Sequence, residues 1–189
     1  MIKSFLTLII FILPPGFTEA QQIRILTSGQ PVSLRGLSVV NDQIIWVSGS
    51  GGSVGLSTDA GVNWKWIQVH GFEKTDFRDI EAFSDQEAVI MGITEPAVIL
   101  RTTDGGKNWI TTFEDSAKSV FLDAMDFSGD EAVLAGDPYK GKIFFARSSD
   151  RGKSWVKSAY DSETIVNGEA FFAASGSNIK FIPGGGFAL

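Results

Sequence analysis

The chain has 189 residues, 43% of them hydrophobic, 12% aromatic and 21 of them glycine, the composition of a turn-rich folded domain with enough chain to bury a core. Its 16 basic and 22 acidic residues leave a formal net charge of −6, which argues against nucleic acid as a partner, because that binding draws most of its affinity from Lys and Arg on phosphates. No cysteine is present, which excludes disulfides, thiolate metal sites and a lipid-bearing cysteine.

The first twenty residues combine Lys3, an apolar run from Phe5 to Leu13, Pro14, Pro15 and a small residue at Ala20. That order predicts a secretory signal, residues 1–20, cleaved after Ala20. The apolar run is about half the ~20 residues that a spanning helix needs. The expectation is therefore an exported chain, periplasmic or extracellular, with no transmembrane segment in its mature part, 21–189.

One eight-residue pattern occurs three times: Ser57 to Trp64, Thr102 to Trp109 and Ser148 to Trp155. Each copy has a hydroxyl residue first, Asp third, Gly fifth and Trp eighth, and Asp59, Asp104 and Asp150 are 45 and 46 residues apart. A strand reversal needs a residue tolerant of positive φ, which Gly61, Gly106 and Gly152 provide. The hydroxyls of Ser57, Thr102 and Ser148 and the three carboxylates can close the turn on its own backbone. Trp64, Trp109 and Trp155 then cover the edge of a core. On this reading the aspartates are structural, with no catalytic or metal role.

Short β-type runs flank each turn in chain order. In the first unit, 31–70, they are Arg35 to Val40 and Ile44 to Val47; in the second, 74–115, Arg78 to Phe83, Ala88 to Met91 and Val98 to Leu100. The third, 118–160, has Leu122 to Phe127, Ala132 to Ala135 and Ile143 to Ala146, and a fourth, 167–189, has Glu169 to Ala174 and Asn178 to Ile182 without a further box. Four antiparallel strands in about 45 residues make one propeller blade. The expected fold class is all-β: an incomplete β-propeller, about three and a half blades of an expected seven. An open arc would leave sheet edges and apolar faces uncovered, so the expectation is part of a longer, monomeric ring.

The boxes resemble the Asp-box, or BNR, repeats of sialidases, xyloglucan-degrading hydrolases, sortilin-type receptors and photosystem II stability/assembly factors. SLRGLSVVNDQIIWVSGSGGSVGLSTDAGVNW, DFRDIEAFSDQEAVIMG and AGDPYKGKIFFARSSDRGKSW are similar to exported bacterial proteins of the photosystem II assembly factor-like group. The resemblance covers nearly all of 31–189 and implies a seven-bladed ring; no residue ties the chain to photosynthesis. It also implies blade-borne arginines that bind a partner protein. In the repeat alignment Arg35 and Arg78 share a position on the first strand of their blades, and Leu122 stands there in the third.

The first functional expectation is a non-catalytic protein-binding or assembly scaffold, with Arg35 and Arg78 taking a carboxylate and Tyr139, in Gly136-Asp137-Pro138-Tyr139, as a rim contact. Those arginines could instead tie blades together through Asp79, Glu81 or Asp123. The runner-up is a glycoside hydrolase on extracellular polysaccharide, which needs paired carboxylates from Asp76, Asp79, Glu81, Asp123 or Asp126; the partner is then a carbohydrate. A sialidase is disfavoured, since Phe181-Ile182-Pro183 lacks the arginine of its motif and only Tyr139 or Tyr160 could serve as nucleophile. Gly49-Ser-Gly51-Gly52-Ser-Val-Gly55 and Gly184 to Gly186 fit no nucleotide motif. His70, the single histidine, makes neither a zinc site nor a triad alone. No cofactor and no metal is expected.

Overall fold

A computed structural model describes residues 23–93, 95–118, 120–139, 142–157, 170–171, 176, 178–182 and 186–188, without the side chain of Tyr139. The signal expected at 1–20, Tyr160, and the fourth unit's opening strand apart from 170–171 lie outside the described residues.

The described residues form β-strands joined by turns. β1 (Leu34–Val39), β2 (Ile45–Gly49), β3 (Ser53–Ser57) and β4 (Lys65–Gln68) make the first sheet. β5 (Phe77–Ala82), β6 (Ala88–Gly92), β7 (Ala97–Thr102) and β8 (Ile110–Asp115) make the second. β9 (Leu122–Ser128), β10 (Glu131–Tyr139), β11 (Lys142–Ser148) and β12 (Val156–Lys157) make the third, and β13 (Lys180–Phe181) pairs with β14 (Phe187–Ala188). Each four-stranded sheet is an antiparallel meander in chain order. Between sheets, β5 meets β1 and β2 of the first sheet, β9 meets β5 and β6 of the second, and β13 lies beside β9. The chain is thus all-β, an incomplete propeller fanned about its first strands.

The hydrophobic cores lie between sheets. Trp46, Val54 and Leu56 of the first sheet pack against Ile80, Ile90 and Leu100 of the second. Val89, Met91 and Ile99 of the second sheet pack against Met125, Leu134 and Phe144 of the third. Ala124, Val133 and Phe145 meet Ile179, Phe181 and Phe187. β6 explains why its sequence is apolar without interruption: Ala88 and Ile90 face one neighbour, Val89 and Met91 the other, and all four are buried. Side chains on a strand alternate between faces, and burying each large one contributes roughly 1.5–3 kcal/mol.

The first sheet has a neighbour on one side only among the described residues. Leu37 and Val39 on its outer face are 65% and 60% exposed, while Ile80 and Ala82, which hold the same places in β5, are 2% and 5% exposed. The third strand differs too. Leu100 and Ala146 fill the seam in the second and third sheets, and the residue at that place in the first is Gly55. Over Gly55, Trp64 and Trp66 stack with centroids 5.9 Å apart.

The pairing registers shift the third unit by one residue from the alignment expected of its sequence. Leu34 pairs with Gly49, Phe77 with Gly92 and Leu122 with Gly136, and in each case one residue bulges out before the ladder resumes at Gly36, Asp79 and Ala124. The residue equivalent to Arg35 and Arg78 is therefore Asp123, and Leu122 belongs with Leu34 and Phe77. Burial agrees: Met125, now equivalent to Leu37 and Ile80, is 4% exposed within the core shared with the second sheet. The third unit is one residue shorter between its first strand and Gly136, which a fixed count back from that glycine conceals.

Candidate functional site

A β-bulge leaves its extra residue out of the ladder and re-aims its side chain. Arg35, Arg78 and Asp123 are the bulged residues of three adjacent inner strands, so they recur at one level of the molecule. Arg35 is exposed; Arg78 is half-buried with its guanidinium over the Phe121 ring, 5.4 Å from the centroid. Asp123 is 2% exposed, and among the described residues neither carboxylate oxygen has a hydrogen-bond partner. Burial and then the Asp137 carboxylate push its pKa up to about 7, against the pull of Arg78. The row is cationic at two positions and acidic at the third.

The neighbouring carboxylates are structural in their contacts. Asp79 is buried; one oxygen accepts the Ile80 N–H at 2.9 Å and the other the Met125 N–H at 3.0 Å, joining β5 to β9. Burial raises it to about 6 in spite of those two bonds. Asp126 accepts the Lys180 ammonium at 2.6 Å and the Phe181 N–H at 2.7 Å. Ser38, at the equivalent place in β1, accepts the Ala82 N–H through its hydroxyl at 3.0 Å. Glu81, at that place in β5, is half-buried, and burial followed by the charges of Asp79 and Asp126 raises it to about 7. Asp76 is half-buried ahead of β5, where its carbonyl accepts the Ile93 N–H at 3.2 Å.

The repeated turns lie between the third and fourth strands of their sheets. In the first, the Ser57 hydroxyl donates to Asp59 at 2.9 Å and accepts the Gly61 N–H at 2.8 Å. Asp59 also accepts the Asn63 backbone and side-chain N–H groups at 2.8 and 2.7 Å. Thr102, Asp104, Gly106 and Asn108 repeat this set, as do Ser148, Asp150, Gly152 and Ser154. The backbone bond from Asn108, then its side chain, holds Asp104 down to about 2, and the Ser154 hydroxyl, then its backbone, does the same for Asp150. Carboxylates this committed have no oxygen left for acid/base work. Asn63, Asn108 and Ser154 stand at variable places in the sequence pattern; what they share is a side chain that donates.

Trp109 meets Trp46 of the preceding sheet edge to face at 6.4 Å, and Trp155 meets Phe127 at 6.0 Å. His70 is exposed beside Glu73, 3.4 Å away. Gly49 to Gly55 spans the β2–β3 hairpin, and Gly51 and Gly52 both have a φ of 65°. The backbone of Tyr139 ends β10, away from the bulge at Asp123 in sequence, and its side chain lies outside the described residues, as do Pro183 to Gly185. Among the described residues no three His, Asp or Glu side chains are grouped to hold a metal ion, and no helix is long and apolar enough to cross a membrane.

No family model matches the chain. It is similar to the photosystem II assembly lipoprotein Ycf48 of Synechococcus sp. (strain CC9902), with 29% identity over 123 residues, covering 62% of this chain and 34% of that protein. Among solved structures it is similar to YCF48 from Cyanidioschyzon merolae, with a TM-score of 0.59, 19% identity, and coverage of 86% of this chain and 51% of that one. It is also similar to YCF48 bound to D1 peptide, with a TM-score of 0.57, 22% identity, and coverage of 82% and 47%. The chain thus spans about half the length of these solved chains and a third of the Synechococcus protein.

Proposed function

We propose that the chain is a non-catalytic protein-binding or assembly scaffold that captures an acidic segment of its partner at Arg35 and Arg78. The observation that carries this reading is the recurrence of the two arginines at the bulge of adjacent inner strands. A guanidinium presented there can take a carboxylate through paired N–H donors, and two at equivalent places would hold an extended acidic peptide in register. The similarity to an assembly factor, and a solved relative whose subject is a complex with a peptide, support a protein as the partner. The layout of residues 1–20 supports export to the periplasm or beyond; a mature amino terminus at Gln21 by mass spectrometry is the expected result.

A glycoside hydrolase is the second reading, favoured by the raised pKa values of Asp79, Glu81 and Asp123, a condition for a general acid. Asp79 is committed to two backbone N–H groups and Asp123 is closed from solvent, so the paired carboxylates that hydrolysis needs reduce to Glu81 alone.

The test is retention of acidic peptides on an array by the wild-type protein and by the Arg35→Ala/Arg78→Ala variant, with melting temperature followed in parallel. Loss of retention at unchanged stability supports the scaffold. Unchanged retention, or release of sugar from a polysaccharide panel, overturns it.

A further inference from the structure

We propose that Asp123 sets the specificity of this row by coupling anion capture to proton uptake: a partner carboxylate and Asp123 compete for Arg78, and the competition is relieved when Asp123 accepts a proton. The inference rests on the reading of Arg35 and Arg78 as an anion site and adds to it the role of the third bulged residue.

Three observations meet at Asp123. It occupies the place that carries arginine in the two preceding sheets, a reversal of charge within one row. It is 2% exposed and, among the described residues, neither oxygen has a hydrogen-bond partner, so its charge lacks the two backbone N–H bonds that Asp79 accepts. Among the described residues, the charged groups that face it are Arg78 from β5 and Asp137 from β10. Asp137 is itself engaged, accepting the Phe171 N–H at 2.8 Å, and its own backbone N–H donates to the Phe121 carbonyl at 2.9 Å. Among the described residues, Arg78 is thus the cation whose charge draws Asp123 down, through space and without a hydrogen bond between them.

A second carboxylate arriving at Arg78 takes up part of that compensation. A buried carboxylate that loses it accepts a proton from solvent more readily, and by linkage the ligand then binds more tightly as pH falls. Asp123 titrates near neutrality in the free protein, so the effect falls in an accessible range. Had the third bulge carried arginine, the row would take up anions without this dependence.

The probe is a short acetylated peptide of alternating Asp and Gly with a free carboxyl terminus, whose own carboxyls titrate well below the range studied. Its affinity for the 189-residue chain is measured by fluorescence anisotropy from pH 8 to pH 6, and the heat of binding at pH 7 is measured in buffers of different ionisation enthalpy. Wild-type protein should bind roughly two- to tenfold more tightly at pH 6 than at pH 8 and show a buffer-dependent heat that reports proton uptake. Asp123→Asn, which keeps the shape and removes the charge, should bind at pH 8 at least as tightly as wild type does at pH 6, with a flat profile. Asp79 and Glu81 titrate in the same range, so the comparison with the variant is decisive. An equally steep profile in Asp123→Asn, weaker binding by it at pH 8, or no proton uptake by wild type overturns the role of Asp123. No binding of the probe to wild type, or binding indifferent to Arg35→Ala/Arg78→Ala, overturns the anion site itself.

Discussion

The Asp79 carboxylate accepts the Met125 N–H at 3.0 Å, so that the inner strand of the second sheet holds the inner strand of the third through one side chain. Its other oxygen accepts the Ile80 N–H. Gly176 packs so closely on the same carboxylate that a Cβ there would stand 2.6 Å from it.

Replacing Asp79 by alanine should leave two buried N–H groups without acceptors. Each costs about 1–3 kcal/mol, so Asp79→Ala should be roughly 2–6 kcal/mol less stable in urea unfolding, and Asp79→Asn, which keeps one acceptor oxygen, less affected. Equal losses in the two variants would show that the bonds contribute little.

Stability should pass through a maximum in mildly acidic solution. Asp79, Glu81 and Asp123 have folded pKa values raised to about 6, 7 and 7, so the stability they contribute is complete below their unfolded values near 4 and is lost as pH rises through 6 to 7. Asp104 and Asp150 are shifted the other way, to about 2, and their contribution is present above pH 4 and lost as pH falls toward 2. Melting temperatures by circular dichroism from pH 2 to pH 8 should rise and then fall, and Asp123→Asn should flatten the upper limb. A monotonic rise to pH 8 would contradict the burial described for these groups.

Two glycines separate backbone strain from packing. Gly106 has a φ of 76°, and a Cβ there would lie 2.7 Å from Ile67 Cδ1, whereas Gly71 has a φ of 83° with open space around it. Gly71→Ala should cost about 1 kcal/mol from strain alone, and Gly106→Ala about 1–3 kcal/mol more, because overpacking adds to the strain. Chemical denaturation of the two variants measures the difference.

Gly55 makes room for the stacked pair above it: a Cβ there would lie 2.8 Å from Val47 and 3.0 Å from Trp66. Gly55→Leu, which installs the residue found at this place in the second sheet, should displace Trp66 and abolish the far-ultraviolet exciton signal of the Trp64–Trp66 stack. The accompanying loss should be about 1–3 kcal/mol. Retention of that signal would mean that the rings shift together.

The sheet plan was legible from residue pattern because each strand has neighbours that its sequence announces. Ala88 to Met91 is apolar without a break since it is sandwiched, and Ser57, Asp59 and Gly61 mark a reversal through the chemistry of their own side chains. What the pattern could not show is register. The hairpin between β9 and β10 is one residue shorter than its counterparts, since Phe127 pairs with Ala132 where Val39 pairs with Ile45 and Ala82 with Ala88, and no residue type marks that loss; the pattern therefore aligns Asp123 with Gly36 and Asp79, although its place is that of Arg35 and Arg78. The raised pKa values of Asp79 and Glu81 were equally hidden, because they arise from sheets that meet only after folding.

Since each apolar cluster among the described residues is built by two adjoining sheets, none of these sheets owns an interior of its own there. Cohesion passes hand to hand, and a lesion in one seam should loosen the pair that shares it while fading beyond. The β5–β8 sheet, gripped from both sides, should be the last to exchange its amide protons with solvent, and the outer strands of the first sheet, gripped from one, among the earliest.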